Sequence, residues 1–303
     1  MLRSIRSGGL PYIIPRSEIP IKSAAEIIGK LLLTIVIVIV LLVIVLIAYF
    51  VFSGSSLMDL EAAVSDEWSI YAQMIVFTIA AFGMYALFER KRGWPLGFMQ
   101  KSAALWTVRG MLAGILLMSA SAALIWLLGG AEWHWIGFNR TVILSLLDGA
   151  VLYAAVAVYE EFFARGYVQG LIRYHYGSIT AVVVSSILFA LMHGFNPGSF
   201  ESPLPMVNLW LAGVLLAVSR EASGGLWLPI GLHLTWNYFQ GYVYGFRVSG
   251  TDNVPSVIES TASGPVALSG GSFGVEGSFV TTIITIAGIA AVYAIYNGKK
   301  RES

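Results

Sequence analysis

Apolar residues occur in long runs, separated by short polar segments, along most of this chain. Residues 31–52 form an almost wholly apolar run, which as a helix is long enough to cross a hydrocarbon core of about 30 Å. Similar runs follow at residues 68–88, 104–128, 142–172, 178–195, 204–219, 226–243 and 277–296. The pattern predicts an all-α polytopic membrane protein with about eight transmembrane helices.

The amino-acid composition excludes several kinds of binding partner and of chemistry. Of the 303 residues 57% are hydrophobic and 12% are charged, whereas about 25% of residues are charged in soluble domains. The net charge of +1 gives no basic surface for nucleic acid, which excludes a nucleic-acid partner. Cysteine is absent, which excludes disulfides and thiolate chemistry. We therefore expect membrane lipid around the chain, and chemistry from Ser, Glu, Asp or the four histidines.

The basic residues predict the orientation in the membrane. With eight helices, the N-terminal segment, the loop at 90–101, Arg173, Arg220 and the KKR tail all fall on one side. The opposite loops hold only Arg140 and Arg247, together with an acidic cluster at residues 59–67. Because short cytoplasmic loops carry an excess of Lys and Arg, both termini are expected in the cytoplasm. The predicted location is the cell (plasma) membrane.

Three stretches place polar or ionisable side chains inside apolar runs: YEEFFARGY at 159–167, FALMHG at 189–194 and GLHLTWNYF at 231–239. The residues are Glu160, Glu161, Arg165, His193, His233 and Asn237. An ionised side chain at bilayer depth costs at least about 2.5 kcal/mol, so such groups are paired, hydrated or functional. Spacing of i,i+4 puts Glu161 beside Arg165, and His233 beside Asn237. We predict that the three helices meet around a shared polar chamber.

Two kinds of hydrolytic chemistry fit these residues. Glu160 could act as a general base on a water held against an imidazole. Alternatively, Glu160, His193 and His233 could bind zinc, which lowers the pKa of its bound water. We favour the glutamate-activated water with no required metal, since a metal would leave only Glu161 as a base and Arg165 occupies it.

The sequence leaves other interpretations of the same residues open. Glu161 and Arg165 could form a buried ion pair with no further role. Intramembrane Glu, Arg and His also mark ion and proton pathways, so an ion- or proton-coupled transporter or a non-catalytic membrane scaffold is the alternative function. No internal repeat supports transport, and a scaffold has less reason to keep all six polar positions.

The three motifs in order resemble the CAAX protease and bacteriocin-processing family of intramembrane endopeptidases. The resemblance covers residues 142–240 and rests on E-E-x-x-x-R at Glu160 to Arg165, F-x-x-x-H ending at His193, and H-x-x-x-N at His233 to Asn237. It implies a helical chamber reachable from the cytosolic side, and hydrolysis of a peptide bond in a membrane-associated protein or peptide.

The resemblance also implies roles for the motif residues. Glu160 and His193 are expected to activate water, and His233 with Asn237 to hold the developing oxyanion. The family has been described both as metal-dependent and as a glutamate protease. It implies a prenylated C-terminal motif or a leader peptide as substrate, and the sequence does not choose between them.

The motifs divide the chain into five segments. Residues 1–30 are a predicted cytoplasmic segment, 31–141 the N-terminal transmembrane helices, 142–243 the catalytic helical core, 244–276 an outer loop, and 277–303 the last helix with a cytoplasmic tail. The outer loop is rich in Gly, Ser and Thr, and is expected to be a flexible cover or a small hairpin without chemistry. WHW at 133–135 and His175 are expected at the membrane interface.

Overall fold

A computed structural model describes residues 20–54, 56, 67–251 and 253–302. Most of the predicted N-terminal segment, residues 1–19, and the predicted acidic cluster up to residue 66 lie outside the described residues. The long α-helices are α1 Pro20–Ser53, α2 Glu67–Met84, α3 Ala103–Leu127, α4 Arg140–Glu161, α5 Gln169–Met192, α6 Pro203–Ser223, α7 Trp227–Tyr238 and, after the short α8 Val266–Ser269, α9 Phe279–Glu302.

Shorter elements join these helices. π-helical segments follow α2, α4 and α7, at Tyr85–Glu89, Phe162–Val168 and Phe239–Val243. Single 3₁₀ turns lie at Arg90–Arg92, His193–Phe195, Gly271–Phe273 and Val275–Gly277. Two strands, β1 Ala131–Trp135 and β2 Ile258–Ala262, complete the described elements.

The helical membrane architecture predicted from the sequence is confirmed. Among the described residues, five helical segments are long and apolar enough to cross a membrane: Ser23–Ser53, Trp68–Arg92, Ala103–Leu127, Arg140–Phe195 and Pro203–Ser223. Phe279–Ile295 is a shorter apolar helix. The 56-residue segment contains two of the predicted runs, and its backbone breaks at Gly177, where φ is 81°. The chain is thus an all-α polytopic membrane protein, and the number of eight spans stays a prediction.

The outer loop differs from both forms expected of it. Its strand β2 pairs antiparallel with β1, which lies in the connection between α3 and α4, with Ala131 opposite Ala262 and Trp135 opposite Ile258. The WHW motif therefore forms part of a strand. Trp133 stacks between Trp126 and Tyr244, at ring separations of 4.9 and 5.6 Å. Backbone pairing between residues more than 120 positions apart leaves no local pattern, which is why the sequence did not predict it.

Small residues bring α3 and α7 into close contact. A Cβ atom on Gly110 would lie 2.1 Å from the Leu228 carbonyl oxygen, and one on Gly231 would lie 2.2 Å from that of Thr107. Glycine at such crossings lets two backbones approach without side chains between them. The contact fixes α7, which carries His233 and Asn237, against the N-terminal helices.

Ionic contacts join α1 to the segment that follows α2. Lys30 pairs with Glu89, and Arg92 pairs with Glu26. His175 lies in the same cluster, with its Nε2 2.9 Å from the Arg92 guanidinium, so its surroundings are ionic as well as aromatic. These contacts bring together residues of α1, α5 and the segment that follows α2. Which end of the protein faces the cytoplasm stays a prediction.

Candidate active site

The first motif lies where an α-helix widens into a π-helix. Glu160 and Glu161 are the last residues of α4, and Arg165 lies in the π-helical segment Phe162–Val168. π-helical turns inside α-helices are rare and occur frequently at functional sites. Every residue from Glu160 to Ile172 is buried. The helix therefore turns both carboxylates toward the interior of the bundle.

Glu161 and Arg165 form the ion pair that their spacing predicts. The Arg165 Nη1 donates to Glu161 Oε1 at 3.0 Å, and both side chains are fully buried. Arg165 Nη2 also donates to the carbonyl of Gly213 on α6 at 3.1 Å, and the guanidinium lies 4.1 Å from the centre of the Phe189 ring. The pair thereby joins the first motif to α5 and α6.

Glu161 has a second partner on a different helix. The His233 Nδ1 on α7 lies 3.0 Å from Glu161 Oε1, the same oxygen that accepts from Arg165. A carboxylate only accepts hydrogen bonds, so Nδ1 carries the proton and Nε2 points elsewhere. His233 is buried. Glu161 therefore fixes the ring orientation of His233, a contact between helices that the sequence did not predict.

Glu160 and His193 face each other across a short gap. The Glu160 Oε2 lies 3.7 Å from His193 Nε2, too far for a direct hydrogen bond. The other atom of each group is engaged: Tyr159 donates its hydroxyl to Glu160 Oε1 at 3.1 Å, and His193 Nδ1 lies 2.9 Å from the Phe189 carbonyl oxygen. Glu160 Oε2 is itself buried with no hydrogen-bond partner in the described part of the chain. Two hydrogen-bond acceptors, Glu160 Oε2 and His193 Nε2, thus lie on either side of this gap.

A pocket adjoins these residues. His193, His233 and Asn237 lie on its wall, with Asn237 one helical turn after His233. Much of the remaining wall is apolar and comes from α5, α6 and α7, with Phe189, Leu209, Leu215, Leu216, Leu232 and Trp236. The structure therefore brings the second and third motifs to one cavity, whereas the residues of the first motif, which the sequence predicted in the same chamber, are not on its wall.

The pocket has a polar wall that the sequence analysis missed. Ser249 and Glu276, both from the outer loop, also line it. Burial raises the pKa of the Glu276 carboxyl above its ordinary value, while hydrogen bonds from Gln240 and Ser249 and the nearby His193 oppose that rise. The only sequence signal is a single glutamate within a Gly- and Ser-rich stretch just before an apolar run. The outer loop therefore contributes side chains to the candidate site.

The three predicted zinc ligands do not converge on one point. Among the residues that the structure describes, no three His, Asp or Glu side chains lie close enough together to hold a metal ion. Glu160 and His193 face each other, whereas His233 directs its Nδ1 to Glu161. A catalytic zinc site has three protein ligands and a water. The described residues as placed do not fit such a site.

Comparison with known proteins finds a similarity in the central part of the chain. Residues 141–239 match the family model described as type II CAAX prenyl endopeptidase Rce1-like. This segment is similar to the Rce1-like family. The match contains all three motifs from Glu160 to Asn237, and it confirms the family resemblance seen in the sequence. The outer loop and the first three helices lie outside the Rce1-like segment.

A curated relative also matches only part of the chain. An "Uncharacterized 24.3 kDa protein" of Escherichia coli is 30% identical over 95 residues, which are 31% of this chain and 41% of that protein. The chain therefore spans about two fifths of the length of that relative. No solved structure matches the chain.

Proposed function

We propose that this protein is an intramembrane endopeptidase that hydrolyses a peptide bond with a water molecule activated by Glu160 and His193. The observation that carries the proposal is the 3.7 Å gap between Glu160 Oε2 and His193 Nε2. Both atoms are acceptors, and the remaining polar atom of each side chain already has a partner. The Rce1-like segment supports a peptidase, because it contains both residues.

A water molecule suits this gap. Water has two protons to donate, and it can lie within hydrogen-bond distance of two acceptors 3.7 Å apart. When it donates one proton to Glu160 and the other to His193, its lone pairs point away from both side chains. They are then available to attack the carbonyl carbon of a bound peptide.

Glu160 alone can carry out both proton transfers of the reaction, from the water and to the leaving nitrogen. The carboxylate takes a proton from the water as the new C–O bond forms at the carbonyl carbon. When the C–N bond then breaks, Glu160 returns that proton to the leaving nitrogen, which departs as an amine. The carboxylate is restored for the next cycle, and His193 holds the water throughout.

The developing oxyanion needs hydrogen-bond donors, and His233 and Asn237 are proposed to supply them. Both line the pocket, and Asn237 donates through its amide. His233 already donates Nδ1–H to Glu161, so Nε2 can donate only when the ring carries both protons. The Glu161 carboxylate is the counter-charge for that form, and Arg165 holds the carboxylate in place.

The proposed substrate is a membrane-associated protein or peptide. The apolar wall of the pocket, built from helices that carry leucines, favours a substrate segment that arrives from the lipid rather than from water. A prenylated C-terminal motif and a leader peptide both have this property. The proposed partners are therefore membrane lipid and such a peptide, and no nucleic acid.

Comparative mass spectrometry of membrane-associated peptides tests the function. Cells that produce the unmodified protein are compared with cells that lack it and with cells that produce Glu160→Gln at equal level. We expect a set of cleaved peptides that occurs only with the unmodified protein. If the peptide populations of all three cells are identical, the protein is not a peptidase for the proteins of that membrane, and a scaffold or transporter becomes the better proposal.

Metal dependence is a separate prediction. We expect purified protein that is active on a peptide found in this way to contain no stoichiometric zinc, and to keep its activity after chelation. The physical reason is that, among the described residues, no third His, Asp or Glu lies close enough to Glu160 and His193 to complete a metal site. Elemental analysis before and after chelation measures this. Loss of cleavage on removal of zinc, with recovery on its return, would establish the metal mechanism instead.

A further inference from the structure

Glu276 makes contacts that join distant parts of the chain beside the pocket. Its Oε2 accepts from the Ser249 backbone N–H at 2.6 Å and from Gln240 Nε2 at 3.1 Å. The Ser249 hydroxyl donates to Oε1, also at 3.1 Å. Gln240 follows α7, Ser249 lies near the start of the outer loop, and Glu276 lies at its end. One buried carboxylate therefore joins both ends of the loop to the helix that carries His233.

Ser249 has a backbone conformation that needs such support. Its φ is 49°, in the left-handed region that residues other than glycine seldom adopt. Two donors of Ser249, its N–H and its hydroxyl, both bond to Glu276. The carboxylate thus holds Ser249 in a conformation that the chain would not otherwise favour.

The same serine contacts the turn that carries His193. The Ser249 carbonyl accepts from Asn196 Nδ2 at 3.0 Å. The backbone N–H of Asn196 donates in turn to the His193 carbonyl at 3.0 Å, which closes the 3₁₀ turn His193–Phe195. A continuous set of hydrogen bonds therefore leads from Glu276 through Ser249 and Asn196 to the backbone of His193.

The backbone of Glu276 is held without its side chain. Asn208 on α6 donates through Nδ2 to the Glu276 carbonyl at 2.6 Å and to the Ser278 carbonyl at 2.8 Å. Thr282 donates to Asn208 Oδ1 at 2.6 Å. Removing the charge of Glu276 therefore leaves the turn at Val275–Gly277 attached to α6, and its effect is confined to the side-chain contacts.

From these contacts we infer that Glu276 is a positioning residue of the active site, which anchors the outer loop as the pocket wall and fixes the His193 turn through Ser249 and Asn196. The inference rests on the proposed function for its catalytic consequence, and on the hydrogen bonds alone for its structural one. It assigns a role to a segment outside the Rce1-like match.

The structural consequence is tested without any substrate. The chain has no cysteine, so Ala212→Cys, at a position on the pocket wall, places one thiol in the pocket. In Glu276→Gln an amide N–H₂ faces donors that need an acceptor, and the loop separates from the helices more often. We expect the rate of maleimide labelling of this introduced thiol to rise about tenfold, the effect of losing a buried hydrogen bond.

Matched controls distinguish anchoring from a general loosening of the fold. Glu259→Gln makes the same chemical change at an exposed position of the same loop, and should leave the labelling rate unchanged. Asn196→Ala should raise labelling like Glu276→Gln, and the double variant should exceed either single variant by much less than the product of their effects, because both act through Ser249. Equal labelling in Glu276→Gln and Glu259→Gln, or independent effects of the two substitutions, would overturn the inference.

The catalytic consequence is measured separately on a peptide that the unmodified protein cleaves. We expect Glu276→Gln to lower kcat about tenfold with KM little changed, because a displaced His193 no longer holds the water correctly. An unchanged kcat would remove the positioning role. If the labelling results hold and the unmodified protein cleaves no peptide, the anchoring stands and the proposed peptidase function fails.

Discussion

Replacement of Glu160 by Gln is expected to abolish peptide cleavage while the protein folds normally. Gln has almost the same size as Glu, and its carbonyl oxygen can still accept from the Tyr159 hydroxyl. The amide cannot take a proton from water, so the general base is lost. General-base catalysis contributes about 10² to 10⁴-fold to a rate, and we expect a loss of at least that size. Initial rates on the identified peptide measure it.

Stability must be measured on the same samples, because a misfolded variant is also inactive. We expect the thermal unfolding midpoint of Glu160→Gln in detergent to match that of the unmodified protein, since Glu160 Oε2 has no hydrogen bond within the described residues to lose. Glu132→Gln, at an exposed position of β1, is the matched control and should keep full activity. Full activity of Glu160→Gln would show that another group deprotonates the water.

The candidate site was predictable from the sequence where helical spacing determines a contact. Glu161 and Arg165 are four residues apart, and residues at that spacing are neighbours on a helix whatever its surroundings. The same rule placed Asn237 next to His233 on the pocket wall. The choice of all six polar positions followed from the cost of an ionised or polar group among apolar residues, which needs no knowledge of the fold.

Helical spacing does not predict which side chains of different helices contact each other. Counted at 1.5 Å per residue from the helix ends predicted to face the cytoplasm, His193 lies about 22 Å along its helix and Glu160 about 15 Å along its own. The structure nevertheless places their side chains 3.7 Å apart. The count assumes straight α-helices, whereas Phe162–Val168 is π-helical and the backbone breaks at Gly177. Neither feature has a reliable pattern in a single sequence.

The contacts of the outer loop were also not predictable from its sequence. Its Gly, Ser and Thr content is typical of a flexible connection, and the expectation of a loop without chemistry followed from it. In the structure Ser249 and Glu276 line the pocket, and β2 pairs with a strand before α4. These contacts depend on how the ends of α7 and α9 lie relative to each other. That arrangement is a property of the packed helices and not of the loop sequence.

Glu161 connects the stability of the protein to its proposed chemistry. Its carboxylate accepts from Arg165 within the first motif and from His233 on α7, so it bears on both the helix packing and the orientation of a proposed oxyanion donor. A substitution of Glu161 should therefore lower activity through two routes. Arg165 contacts Glu161, Gly213 and Phe189. Its replacement therefore tests the contribution of the ion pair to stability.

Replacement of Arg165 by Ala is accordingly expected to destabilise the protein, by about 3 to 5 kcal/mol, because it leaves the Glu161 carboxylate buried without its cation. Denaturant unfolding in detergent measures this, and Arg140→Ala, at an exposed arginine, should change stability little. Combining Arg165→Ala with Glu161→Gln should restore part of the loss, since the uncompensated charge is then gone. A double variant as unstable as the sum of both single variants would show that the two side chains stabilise the fold independently and not as a pair.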